Sequence, residues 1–182
     1  MKFKLFCLVV AFQACWAIGT VAIHESRLHS ATVIRLDTQP VDPSDPLRGD
    51  YVVLRYGMSV LDKSLFTSDW VEASPNGTPV YVALGSSNGF YRPTFASFQP
   101  IPRRTGWIGV QGQVATPGWL MRDSRTPTKV WVDYGIERYY VHEGTGNPNG
   151  KLTVDAAVGS DGKLAIREVY LNGVPYAQAM GK

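Results

Sequence analysis

The sequence begins with an uncharged apolar run that is long enough to cross a membrane. The run extends from Leu5 to Ile23 and contains 19 residues. As a helix it would span about 28 Å, close to the thickness of the hydrocarbon core of a bilayer. We interpret residues 1–23 as a signal anchor that contacts the bilayer through residues 5–23. Two alternatives are a cleaved signal with a poor site ending at Ala22 and a lipoprotein signal at Cys15.

The charges that flank this run predict its orientation. Lys2 and Lys4 are the only charged residues among the first 23, and a basic flank of this kind remains in the cytoplasm. We therefore expect a single-pass membrane protein whose N-terminus is cytoplasmic and whose remaining chain is exported. Residues 24–30 are predicted to be a short stalk or a polar continuation of the helix, and residues 31–182 the exported domain.

The composition of the exported part excludes several kinds of protein. The 182-residue chain carries 18 Lys+Arg and 15 Asp+Glu, so without Lys2 and Lys4 the balance is 16 basic against 15 acidic residues. A nucleic-acid-binding domain needs a basic surface, which this near-neutral balance does not favour. Both cysteines, Cys7 and Cys15, lie in the apolar run, so the exported part has no thiol for a disulfide or a metal.

Alternating apolar and polar residues, separated by turn residues, predict strands throughout the exported part. Thr78–Gly85 and Phe90–Gln99 are predicted to pair with each other across the residues between them. Further turns are predicted at residues 159–162 and at Asn172-Gly173, the second leading into a strand over Val174–Ala177. We therefore predict one mainly β domain, an antiparallel barrel or sandwich with at most one or two short helices.

The first of two unusual segments is Gly49–Tyr56, which reads Gly-Asp-Tyr-x-x-Leu-x-Tyr after a proline-rich loop. In a strand, Leu54 and Tyr56 share one face and Tyr51 lies on the other. We therefore expect this strand to bury residues on both faces. The first interpretation of the motif is structural, a fastening of the loop to the strand. The other is a ligand site lined by Asp42, Arg48 and Asp50.

The second segment is Val132–Gly146, which combines acidic, aromatic and glycine residues. Glu137 and Glu143, with Tyr139 and His142, form its best candidate for chemistry. Two acids near a histidine and a tyrosine transfer protons efficiently only if burial separates their pKa values. A cluster of salt bridges and hydrogen bonds is the structural alternative. The motif positions selected here are Tyr134, Gly135, Glu137, Arg138, Tyr139, His142, Glu143, Gly144 and Gly146.

Together, in this order and after an N-terminal anchor, the two segments resemble the GDYXXLXY-motif family of bacterial membrane-anchored proteins. The resemblance covers essentially the whole exported part of the chain. It implies a bacterial inner-membrane protein with a periplasmic domain, often encoded beside a multi-helix integral membrane protein. It supplies no catalytic residue that could be transferred to this sequence.

The expected function is that of an accessory domain that binds and supports or regulates a neighbouring integral membrane protein. No cofactor or metal is expected, because the sequence lacks a phosphate-binding glycine loop and a set of metal ligands. The alternative is an envelope hydrolase whose catalytic candidates are Glu137, Glu143 and Asp50. Convergence of these three carboxylates in one open cleft would favour the hydrolase.

Overall fold

The computed structural model describes residues 2–29, 32–39, 51–66, 75–102, 105–115, 128–141 and 150–180. Within these ranges the chain forms an N-terminal helix followed by a mainly β domain, as predicted. The strands pair in antiparallel sheets that form a nearly closed, barrel-like structure.

Helix α1 (Lys2–Leu28) contains the apolar run. Its segment Phe3–Ser26 has a mean hydropathy of 2.1 and is long and apolar enough to cross a membrane. Every residue of that segment is exposed except half-buried Gly19, so the β domain does not cover it. The helix continues five residues beyond Ile23, because the polar residues that follow are compatible with a helical backbone. Most of the predicted stalk is thus a helical continuation of the apolar segment.

Twelve strands follow within the described residues. They are β1 (Val33–Gln39), β2 (Tyr51–Val53), β3 (Arg55–Tyr56), β4 (Val60–Asp62), β5 (Pro79–Ser87), β6 (Phe90–Ser97), β7 (Ile108–Val114), β8 (Lys129–Asp133), β9 (Arg138–Tyr140), β10 (Leu152–Val158), β11 (Leu164–Leu171) and β12 (Val174–Pro175). A 3-10 turn covers Lys63–Leu65, and helix α2 covers Tyr176–Met180.

The strands form two five-stranded sheets and a two-stranded ribbon. One sheet has the order β12-β11-β10-β1-β3, the other has the order β4-β8-β7-β5-β6, and β2 pairs with β9. Strand β6 lies against β1, which brings the two sheets together. Apolar side chains at alternate positions fill the interior, as the period-2 pattern predicts. The core includes Ile34, Leu36, Leu54, Tyr56, Val80, Val82, Leu84, Val110, Val132 and Val154.

Two Asn-Gly pairs make the tight hairpin turns. Asn88 and Gly89 have φ angles of 52° and 80°. The corresponding angles of Asn172 and Gly173 are 52° and 85°. These left-handed conformations suit the two-residue turns that join twisted antiparallel strands. The predicted pairing of β5 with β6 is confirmed. Strand β5 extends beyond its predicted end at Gly85 to Ser87, because the turn needs only two residues.

The predicted strand over Val174–Ala177 is wrong in its second half. Only Val174 and Pro175 pair with β11, and helix α2 begins at Tyr176. Tyr176 is buried, and its ring packs edge-on against Tyr139 at a centroid distance of 5.4 Å. Burial of this aromatic pair favours a turn of helix over a continued strand edge.

The β domain has one end near α1 and one end away from it. Strand β1 starts close to the end of α1, where Val33 pairs with Ala157, and it reaches Tyr56 through the pairing of Thr38. Five residues of strand separate these two pairings, which corresponds to about 17 Å. The strand of the first motif therefore lies at the end of β1 farther from the helix. We call this the distal end of the domain.

Candidate functional site

The two motifs predicted from the sequence are hydrogen-bonded to each other. Strand β2 of the first motif pairs antiparallel with β9 of the second, so that Val53 lies opposite Arg138. The pairing continues through Leu54, whose backbone N–H donates to the carbonyl oxygen of Glu137 at 2.8 Å. Strand β3 then pairs with β1. The first motif thus connects the second motif to the sheet that contains β1.

Two buried tyrosines, one from each motif, donate hydrogen bonds from one segment to the other. The hydroxyl of Tyr56 donates to the carbonyl oxygen of Ile136 at 2.7 Å, and the hydroxyl of Tyr134 donates to that of Met58 at 3.0 Å. Tyr56 is 1% exposed. Burial, reinforced by the charge of Glu137, raises the pKa of both phenols well above the usual value, so they remain neutral donors. These two bonds fasten the motifs together.

A tight turn at Gly135 brings two carboxyl groups together. Gly135 has a φ of 79°, a left-handed conformation that favours glycine. Its backbone N–H donates to Asp133 Oδ1 at 2.7 Å, and the N–H of Tyr134 donates to Glu137 Oε1 at 2.7 Å. Both acids therefore point back into the turn that separates β8 from β9.

Asp133 and Glu137 share a hydrogen bond between their carboxyl groups. Burial, together with the hydrogen bond to Asp133 and the charge of Asp133, raises the pKa of Glu137 to about 7. The same hydrogen bond, the N–H of Gly135 and the charge of Arg138 lower the pKa of Asp133. These shifts indicate that Asp133 is ionised and Glu137 is neutral, and that the two carboxyl groups share the Glu137 proton.

A glycine on the neighbouring strand allows this turn to approach. Gly112 of β7 is buried, and a Cβ atom at this position would lie 2.9 Å from the carbonyl oxygen of Asp133 and 2.9 Å from Cδ1 of Tyr134. Carbon atoms do not approach that closely without displacement of one partner. Gly112 is thus a packing requirement of the motif, which the sequence alone did not single out.

Seven of the predicted site residues are described with their side chains and lie in this region. Tyr51 is described only through its backbone, which pairs with Tyr140. Tyr139 packs edge-on against the ring of Tyr176. The seven are Leu54, Tyr56, Tyr134, Gly135, Glu137, Arg138 and Tyr139.

The other predicted site residues lie outside the described ranges. Of the three carboxylates proposed for catalysis, Glu137 is therefore the one whose surroundings are known, and its neighbour is Asp133. Asp133 was not selected from the sequence, although the spacing Asp-x-Gly-x-Glu places two acids on either side of a glycine turn. The residues outside the described ranges are Asp42, Arg48, Gly49, Asp50, His142, Glu143, Gly144 and Gly146.

The expectation that the first motif buries both faces of its strand is wrong for the residues whose side chains are described. Val52, Leu54 and Tyr56 face the core, whereas Arg55 is exposed and Val53 is 41% exposed. The outer face stays open because β1 and β9 flank this strand edge to edge and do not stack on it. Tyr140 is 71% exposed beside it.

The arrangement of the two carboxyl groups allows proton transfer in principle. With a pKa of about 7, Glu137 can donate a proton when it is neutral and accept one when it is ionised, both near neutral pH, and Asp133 stays ionised beside it. No group of three or more potential metal-binding side chains occurs within the described part of the chain.

These features define a class of protein: an antiparallel, nearly closed β domain on an apolar N-terminal helix, with two sequence motifs hydrogen-bonded to each other. The family model for the GDYXXLXY protein matches residues 13–169, which include part of α1 and both motifs. The chain belongs to this family, and the resemblance seen in the sequence is confirmed. Neither a curated protein nor a solved structure matches the chain.

Proposed function

We propose that the protein is a single-pass inner-membrane protein whose periplasmic β domain binds a neighbouring integral membrane protein and supports or regulates it. The observation that carries the proposal is α1, whose apolar segment Phe3–Ser26 is exposed along its length and is followed closely by the β domain. An apolar surface of this size needs a bilayer or a partner to cover it. Lys2 and Lys4 favour a cytoplasmic N-terminus.

The surface proposed for partner contact is the outward side of the β2–β9 ribbon. Val53 and Tyr140 expose 41% and 71% of their surfaces there, and Arg55 lies on the same outward face of the first motif. Tyrosine and arginine are enriched among the residues that dominate the free energy of protein association. The motif side chains of Leu54, Tyr56 and Tyr134 are buried beneath this surface and support it.

Replacing Tyr140 with alanine is expected to weaken partner binding. Loss of an interface tyrosine costs about 1.5 kcal/mol or more, which corresponds to about tenfold weaker binding. The measurement is recovery of membrane proteins with the full-length tagged chain from detergent-solubilised membranes, quantified by mass spectrometry. Trp107→Ala, at another exposed aromatic of the domain, is the matched control. Equal recovery of an integral membrane protein by both variants would contradict the proposed surface.

A second candidate function is hydrolysis in the envelope, with Glu137 acting beside Glu143 and Asp50. The observation that favours it is the separation of the Glu137 and Asp133 pKa values, a feature of acid–base sites. The test is Glu137→Gln in cells. If cells with this variant behave like cells that lack the protein, at an unchanged protein level and unchanged partner recovery, the result supports the hydrolase. Cells that behave like the wild type contradict it.

A further inference from the structure

The contact between α1 and the β domain lies at the height where the membrane would end. Helix α1 packs against β10 and β11. A cleft at this junction is lined by Ala22, Ile23 and Ser26 of the helix and by Gly159, Ser160 and Asp161 of the β10–β11 turn. The apolar run ends at Ile23, and Ser26 is three residues farther along the helix, or about 5 Å. The cleft therefore extends from the hydrocarbon edge into the depth of the lipid headgroups, a layer of about 5–8 Å per leaflet.

The β10–β11 turn has the chemistry expected of a surface in that layer. Ser160, Asp161 and Lys163 are exposed and polar. Two backbone N–H groups of the turn are bonded within it: that of Lys163 donates to Asp161 Oδ1 at 3.1 Å, and that of Gly162 donates to the carbonyl oxygen of Gly159 at 3.0 Å. Such a turn tolerates the wet, polar headgroup region and has no large apolar side chain that would enter the hydrocarbon.

The turn is also held rigidly to the rest of the domain. The carbonyl oxygen of Gly162 accepts a hydrogen bond from the N–H of Gln111 in β7 at 2.8 Å. At the other end of the turn, the N–H of Val158 donates to the carbonyl oxygen of Thr32, just before β1. The turn is therefore hydrogen-bonded to both sheets, so its distance from the membrane sets the distance of the whole domain.

We propose that the β10–β11 turn rests on the lipid headgroup layer and holds the β domain directly on the membrane, with the distal end facing away from it. This inference rests on the proposed membrane anchor. It places Tyr56 of the first motif about 17 Å above the turn, the distance that five residues of β1 span, and the Tyr140 surface lies farther along the β2–β9 ribbon. A partner that contacts this surface must then extend beyond the bilayer by a similar distance.

The test places fluorescent labels on single cysteines in the full chain. In a Cys7→Ser, Cys15→Ser background, Ser160→Cys labels the proposed membrane side. Ser87→Cys is the matched control, since it is also an exposed serine next to a hairpin turn. That hairpin lies at the distal end, because the ammonium of Lys151, just before β10, sits 5.3 Å from the ring of Phe90. Both proteins are reconstituted into phosphatidylcholine–phosphatidylglycerol vesicles that carry a nitroxide on the lipid headgroup.

We expect the headgroup nitroxide to remove most of the fluorescence at position 160 and little at position 87. Equal quenching at both positions, or none at either, would overturn the inference. A third protein, Cys7→Ser labelled at Cys15, is measured with a nitroxide on the acyl chain. Quenching at Cys15 without quenching at position 160 contradicts the membrane-resting turn alone. No quenching at Cys15 contradicts the membrane anchor, and with it both proposals.

Discussion

Replacing Glu137 with glutamine should stabilise the domain at pH 8 by about 2 kcal/mol and leave its stability near pH 4.5 almost unchanged. The glutamine amide can donate to Asp133 in place of the carboxyl proton, and its oxygen can still accept the N–H of Tyr134. The substitution therefore retains the geometry of the turn and removes the titrating carboxyl group of Glu137. The measurement is urea unfolding of the full chain in detergent micelles, followed by tryptophan fluorescence from pH 4 to pH 9.

The sign follows from the raised pKa of Glu137 in the folded protein. The pKa rises from its ordinary 4.5 to about 7, so between these values the folded chain holds a proton that the unfolded chain has lost. Stability therefore falls as the pH rises through this window and stays lower above it. The full shift corresponds to about 3 kcal/mol, which we reduce to about 2 because the carboxyl group is partly exposed. Asp133 has the opposite sign: its contribution is lost only as the pH falls below its ordinary pKa of 3.8.

The wild-type chain is the control for Glu137→Gln. Under the same conditions the wild-type chain should lose stability between pH 4.5 and pH 7. If Glu137→Gln also retains the wild-type decline between pH 4.5 and pH 7, the shared proton is not present in the folded protein.

Replacing Gly112 with alanine should destabilise the domain by about 2–3 kcal/mol, in the upper part of the usual range of about 1–3 kcal/mol for an overpacked core. The added methyl group would lie 2.9 Å from the backbone oxygen of Asp133 and from the ring of Tyr134, so β7 and the motif turn must separate. We expect a lower urea midpoint with an unchanged dependence on denaturant.

Gly109 provides the matched control because it lies on the same strand. A Cβ atom at Gly109 would meet nothing within 4 Å, and the residue is exposed. Gly109→Ala should therefore be neutral or stabilising by up to about 1 kcal/mol, since alanine restricts the unfolded chain more than glycine does. Similar losses of stability in both variants would show that the close approach at Gly112 is not specific.

Local patterns in the sequence predicted most of the fold. The alternation over Thr78–Gly85 predicted a strand there, and Val82 of β5 lies in the core, because the side-chain period of a strand needs no knowledge of the partner strand. The turn at Asn172-Gly173 was predicted for a similar reason, since the left-handed conformation depends on the residues themselves. The helix was predicted from its length and composition alone.

Contacts distant in sequence explain what the sequence did not show. Tyr56 and Ile136 are 80 residues apart, and nothing in either segment specifies that the hydroxyl of one reaches the carbonyl of the other. The sharing of a proton by Asp133 and Glu137 depends on burial, which only the assembled sheets provide. Gly112 acquires its role from the backbone of β8, which packs against it.

The central claim is that the two motifs form a single hydrogen-bonded joint, and a cross-strand disulfide tests it most directly. In a Cys7→Ser, Cys15→Ser background, Val53→Cys with Arg138→Cys joins positions that lie directly opposite each other on β2 and β9. Val53→Cys with Tyr140→Cys joins diagonal positions about 7–8 Å apart, beyond the usual reach of a disulfide. We expect mild oxidation to cross-link the first pair in the folded full chain and not the second, as read by intact mass. Failure of the first pair to form a disulfide, or preferential cross-linking of the second, would contradict the joint.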